Sequence, residues 1–260
     1  MPRTGPSGIR PIERLCYRLG GLLIVVGLFH LAVLLITGDS WIGPVSWRKP
    51  MTFGLSFGLT LLTIAWVSSY LRLSERTRTG LLGIFAAACV LEVGLITLQA
   101  WRRVPSHFNL STTLDGTIAR TLAAGGAVLI GVIVVLTVVA FRAADEPSTA
   151  ASMRLAIRAG LVALDLALLL GAAMIATGIT RAIAGDQQSA YVVGGALKLA
   201  HGVTLHGVLV LPGLAWLLAR TDRSEAERYR LVRWAVLGYA GLCVVAVAWS
   251  TVGLIRLESI

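Results

Sequence analysis

Seven long apolar runs constrain this chain more than any other feature. They occupy residues 19–38, 51–71, 80–100, 121–141, 155–179, 197–219 and 232–254, and each approaches or exceeds the roughly 20 helical residues needed to cross about 30 Å of hydrocarbon. Inside a bilayer no water satisfies the backbone, so such a run must close its own hydrogen bonds as a helix. The prediction is an all-α, polytopic seven-helix transmembrane bundle. Composition agrees: 56% of residues are hydrophobic, 14% are charged and the mean hydropathy is +0.80, whereas soluble domains carry about 25% charged residues. Turn formers or charges, such as Gly38-Asp39-Ser40, separate neighbouring runs. The expected organisation is an N-terminal segment over 1–18, a transmembrane domain over 19–254 and a tail over 255–260.

The net charge of +10 is explained by topology and not by nucleic acid. Alternating the connections between the two sides puts fifteen Arg on the side of the N-terminus and eight Arg or Lys on the other. The cation-rich side marks the cytoplasm, so the N-terminus is expected inside and, after an odd number of crossings, the C-terminus outside. The first run follows an Arg-bearing segment as a signal peptide does, but it is about 20 residues long and lacks a small-x-small cleavage site; it is expected to stay as a helix. Cys16, Cys89 and Cys243 lie far apart in or beside apolar runs, which fits buried small hydrophobes better than a disulfide framework or a Cys-rich zinc site.

Ionisable residues inside the runs point towards function, because each costs at least about 2.5–3.5 kcal/mol at a helix centre. His30, Glu92, Asp165 and His206 stand out. With a rise of about 1.5 Å per residue, His30, Glu92 and His206 all fall about 12–13 Å below the outer helix ends, whereas Asp165 falls about 10 Å from the cytoplasmic end. For Asp165 a hydrogen bond to a neighbouring helix suffices. Three chemistries fit the other three. Two imidazoles and a carboxylate form a zinc set with an open fourth position; His30 and His206 on facing helices fit haem b ligation; and Glu92 with a histidine fits metal-free acid–base work. His201 and His206 diverge by about 140° around a helix and do not form a local chelating pair. Gln99 lies seven residues after Glu92, on the same face, and joins the catalytic candidates.

The outer connections supply a second group. Trp47-Arg48-Lys49-Pro50 and Gln99-Ala-Trp101-Arg102-Arg103-Val-Pro105-Ser106-His107-Phe108-Asn109 combine an aromatic and cationic headgroup belt with hydrogen-bonding side chains. Arg48, Lys49, Arg102, Arg103, Ser106, His107, Asn109 and His201 are the candidates for holding a substrate headgroup. On the second helix Ser56, Thr60 and Thr63 share a face, and interhelical hydrogen bonding explains them; Gly54 and Gly58 form a small-xxx-small pair suited to close helix packing.

Several familiar chemistries lack their residues. The only lysines, Lys49 and Lys198, lie at helix ends and not mid-helix as a retinal Schiff base requires. Aspartate-rich diphosphate motifs and a phosphate-binding glycine loop are missing from the sequence. The Trp47–Gly54 and Gln99–Asn109 strings, with His201-Gly-Val-Thr-Leu-His206 and its continuation to Pro212, resemble uncharacterised multi-pass membrane proteins of bacteria, which implies an inner-membrane location. The helix count with isolated intramembrane acids is similar, in architecture alone, to the integral membrane terpene cyclases. The leading expectation is a membrane enzyme for a lipid or isoprenoid-like substrate, with an outward-opening polar pocket built from helices one, two, three and six. Alternatives are a haem or quinone redox protein, and a transporter or non-enzymatic membrane subunit.

Overall fold

A computed structural model describes residues 8–142 and 149–258; the expectations for residues 1–7, 143–148 and 259–260 lie outside the described residues. The described chain is all helix and turn, in the order α1 (Pro11–Thr37), α2 (Arg48–Ser68), α3 (Glu75–Trp101), α4 (Thr113–Arg142), α5 (Ala151–Ile183), α6 (Gln187–Val193), α7 (Lys198–Leu205), α8 (Gly207–Leu218) and α9 (Glu225–Glu258). Seven segments are long and apolar enough to cross a membrane, the sixth being α6 to α8 in succession.

Helix ends follow local chemistry. Pro11 opens α1, where its missing N–H costs nothing, and the Glu13 carboxylate accepts the Arg10 backbone N–H at 3.1 Å. This start precedes the apolar run by eight residues, because hydrogen bonding and not hydropathy decides where a helix begins. Gly38 closes α1 with φ 61°, a left-handed turn that suits glycine. The Ser74 hydroxyl accepts the Thr77 N–H at 3.1 Å to cap α3. At the head of α4 the Thr112 hydroxyl accepts the Asp115 N–H at 3.1 Å and donates to the Asp115 carboxylate at 2.7 Å.

The closest helix contact joins α1 to α2. A methyl group on Gly54 would sit 2.7 Å from Gly27 Cα, and one on Gly58 would sit 2.6 Å from the Gly20 carbonyl. The small-xxx-small pair thus does what its spacing predicts: two backbones approach where side chains would hold them apart. In the second half α5 is the hub, packing against α4, α7, α8 and α9, and Gly160 meets the backbone of Val208 in α8 at 2.9 Å from where a Cβ would lie. The main core runs through both halves, with Leu61, Ile64, Leu82, Ile133, Leu161 and Leu164 almost fully enclosed. Between the halves, α2 touches α8.

The sixth span departs from expectation. A continuous helix over 197–219 is predicted, but the chain turns at Gly194–Leu197 and again at His206. Gly194 has no room for a side chain, since a Cβ there would lie 2.8 Å from the Ala190 carbonyl and 3.1 Å from Phe108. Hydropathy registers neither constraint.

At the arginine-rich end, Arg78 is 2% exposed. Its guanidinium donates to the Leu71 carbonyl at 3.0 Å and to the Ser68 carbonyl, closing the C-terminal end of α2, and lies 3.7 Å from the Glu13 carboxylate. A cation on exposed helix carbonyls also complements the helix dipole.

Candidate functional site

The Trp-rich end gathers polar side chains into separate groups. In the first, His30 is 1% exposed and both ring nitrogens are occupied. Nδ1 lies 2.8 Å from the Val26 carbonyl, and Nε2 accepts the Trp101 indole N–H at 3.2 Å. A carbonyl only accepts, so Nδ1 carries the proton and the ring is neutral. Trp47 packs against Trp101 at 4.9 Å between centroids. The Arg103 guanidinium lies over the Trp47 ring and pairs with Asp39 at 2.7 Å; that hydrogen bond is the main cause holding the Asp39 carboxyl below its ordinary range.

The second group ties α3 to α4. Gln99 is fully buried, donates from Nε2 to Asp115 at 2.9 Å and accepts from Arg102 through its carbonyl oxygen. Arg102 also pairs with Asp115 at 2.6 Å. Arg102 and Arg103 are therefore each matched to a carboxylate of this chain, and Gln99 is engaged in a helix tie. The sequence reading missed Asp115, whose signal was the Thr112-x-x-Asp115 capping pattern.

Cations of a different standing meet beside them. Lys49 at the start of α2 feels the charges of Lys198, Arg48 and Glu92, and Lys198 opens α7, where its ammonium would meet a Cβ on Gly195 at 2.8 Å. Arg48 is held by the Trp41 carbonyl at 2.9 Å. Among the described residues neither lysine ammonium has a hydrogen-bond or ion-pair partner. Lys49 and Lys198 both lie about 30 Å along their spans from the opposite helix end, at the edge of the hydrocarbon. Glu92 lies deeper, 4% exposed, with one carboxylate oxygen unpartnered. That oxygen fills the notch left by Gly125 of α4, where a Cβ would lie 2.5 Å away.

The 102–112 loop closes this region from above. Phe108, at φ 61°, is wedged into glycine notches in both directions: a Cβ on Gly178 of α5 would fall 2.3 Å from its ring, and one on Gly194 3.1 Å. Tyr191 of α6 donates to the His107 carbonyl at 3.2 Å, while the His107 ring packs on Phe53. Burial, with Lys49 adding like charge, holds the His107 imidazole well below its ordinary range, so the ring is neutral near neutral pH. Ser106 is hydrogen-bonded to the His107 ring at 3.0 Å, and Asn109 accepts the Ser111 N–H at 3.1 Å; both are buried parts of the loop.

The remaining histidines stand elsewhere. His201 donates to the Ala167 carbonyl of α5 at 2.7 Å. His206 is exposed at the α7–α8 junction, with Nδ1 2.6 Å from the Gly202 carbonyl. Among the described residues no three His, Cys, Asp or Glu side chains are placed to hold a metal ion, so His30, Glu92 and His206 do not come together as the predicted zinc set despite their matched depth. His30, the other histidine of the predicted haem pair, has both ring nitrogens engaged, at the Val26 carbonyl and the Trp101 indole. Equal depth is one coordinate, and the helix rotations supply the others. Asp165 accepts from Thr137 of α4 at 2.6 Å, the interhelical bond its position predicts.

Seven apolar spans folded around buried polar ties define a polytopic all-α protein of the cell membrane. No protein-family model, curated protein or solved structure matches the chain. These comparisons link it to no particular family, the terpene cyclases included.

Proposed function

We propose that the protein is a membrane enzyme that holds the anionic head of a lipid or isoprenoid-like molecule at Arg48, Lys49 and Lys198, with Glu92 exchanging a proton beneath it. The observation that carries this reading is the pair of lysine ammoniums without a partner, set among like charges at the hydrocarbon edge. Arg102 and Arg103, equally cationic, are matched by Asp115 and Asp39; at Lys49 and Lys198 the corresponding anion comes from outside the chain. A phosphate or carboxylate head satisfies both cations at a depth where water competes weakly, while its apolar body extends into the bilayer. Glu92, electrostatically coupled to Lys49, has an oxygen free to take or give a proton. In the topology that accompanies this proposal the arginine-rich end faces the cytoplasm and the cluster opens outward, as in a bacterial inner membrane.

Titration of the purified protein with dodecyl phosphate, followed by calorimetry in two buffers of different ionisation enthalpy, tests this. Each lysine removed by Lys49→Gln or Lys198→Gln is expected to weaken binding about tenfold, equivalent to roughly 1.4 kcal/mol. Glu92→Gln is expected to keep the affinity and abolish proton exchange on binding. Equal affinity in wild type and the double lysine variant would overturn the proposal.

A transport reading has one observation in its favour. The sixth span is discontinuous on both sides of α7, and broken helices mark substrate sites in many carriers. Uptake of dodecyl phosphate into vesicles, with no chemical change in it, would favour this second reading.

A further inference from the structure

We infer that the groove around His206, between α2 and α8, is a second binding site: it takes the uncharged hydroxyl of an alcohol or phenol carried on an apolar body, entering from the bilayer. His206 lies twelve residues before Leu218, about 18 Å along the span and inside the hydrocarbon region of about 30 Å. Its Nδ1 faces the Gly202 carbonyl at 2.6 Å and so bears the ring proton. Nε2 is left with a lone pair and no partner among the described residues, in a medium that offers no water to satisfy it.

The opposite wall is the hydroxyl stripe of α2. Ser56, Thr60 and Thr63 line the same groove as His206, with Leu205 and Leu209 as its apolar flanks. Helical threonines in this chain usually donate to the carbonyl four residues back, as Thr37, Thr117, Thr121 and Thr177 do. Thr63 does likewise, to Leu59 at 2.8 Å. Ser56 and Thr60 lack such a bond and, among the described residues, have no other partner. The groove thus presents an acceptor, Nε2, facing hydroxyls that can donate or accept, which is the complement of one O–H group. It has room for about one water-sized group, so the hydroxyl enters and the body lies along the leucine flanks. No lining residue is charged, which separates this site from the anion-binding cluster at Lys49 and gives it a different ligand class.

Full-length protein in lipid nanodiscs, labelled with heavy nitrogen at histidine, is titrated with para-decylphenol and with decylbenzene, which has the same tail and no hydroxyl. The expected result is a saturable shift of the His206 Nε2 resonance with the phenol alone. His206→Phe should abolish saturable phenol binding, and Thr60→Val, nearly isosteric, should weaken it about threefold. Lys49→Gln should leave it unchanged, so failure here is distinguishable from failure of the anion-binding proposal. Equal shifts with both compounds, undiminished saturable binding in His206→Phe, or a resonance already hydrogen-bonded and unmoved by the phenol, as for a groove holding water only, would each overturn the inference.

Discussion

Glu92 and Gly125 form a matched pair whose energetics can be separated. A methyl group at position 125 would fall 2.5 Å from the Glu92 carboxylate, so Gly125→Ala should destabilise the protein by about 1–3 kcal/mol through overpacking. In a Glu92→Ala background the clash disappears, and the same change should be neutral or stabilising, because alanine is the better helix former by about 1 kcal/mol. Thermal denaturation of the four proteins in detergent gives this cycle directly. His107 makes a pH prediction. Its imidazole is held below the ordinary value of 6.5 by burial and by Lys49, so below that pH the unfolded chain binds a proton that the folded chain does not. Stability from this residue is therefore complete above about pH 6.5 and is lost as the pH falls. Melting temperatures between about pH 5 and 7.5 should drop towards acid in wild type, and less steeply in His107→Gln; parallel profiles would show that His107 does not contribute.

At the level of helices, the α1–α2 contact and the Arg78 clamp are structural and testable as such. Gly58→Val would drive a branched side chain into the Gly20 carbonyl, 2.6 Å from its Cβ, whereas Gly83 has nothing within 4 Å. Gly58→Val should lower folded yield and melting temperature sharply, while Gly83→Ala should raise stability by about 0.5–1 kcal/mol. Arg78→Met should cost about 3 kcal/mol, because the buried Glu13 carboxylate loses a cation and the Leu71 carbonyl loses its donor; chemical denaturation alongside an Arg76→Met control reads this out. Helix existence was legible in every span because hydropathy over about 20 residues leaves no alternative in lipid. The breaks on either side of α7 were not, since each depends on what Gly194 and His206 meet in space.

For the molecule as a whole, the proposed topology makes a prediction: an odd number of crossings would put the first and last helix ends on opposite sides of the membrane, with the arginine-rich side in the cytoplasm. A reporter fused before Met1 should read as cytoplasmic and one after Ile260 as external. Both on one side would contradict the seven-span fold, and a clean reversal would contradict the charge argument alone. The 102–112 loop makes a further whole-molecule link: it joins α3 to α4 in sequence, yet inserts Phe108 into notches at Gly178 of α5 and at Gly194, just past the end of α6. That insertion holds the two halves of the bundle together over the lysine cluster.

The sequence by itself determined the number of spans, a close helix contact at Gly54 and Gly58, and which residues are polar at which depth. These are one-dimensional properties: hydropathy, spacing and rise along an axis fix them. That α1 is the partner in the glycine contact came from the structure. Only the tertiary structure decided which polar groups meet. His30, Glu92 and His206 are matched in depth by helical rise but form no metal set among the described residues: His30 is engaged by Trp101, and Glu92 fills the space at Gly125. Arg102 and Arg103 look like Lys49 and Lys198 in a string of letters, yet two are neutralised by Asp115 and Asp39 and two are not. The difference lies in helix rotation and loop path, which depend on packing among residues far apart in the chain and leave no periodic trace in it.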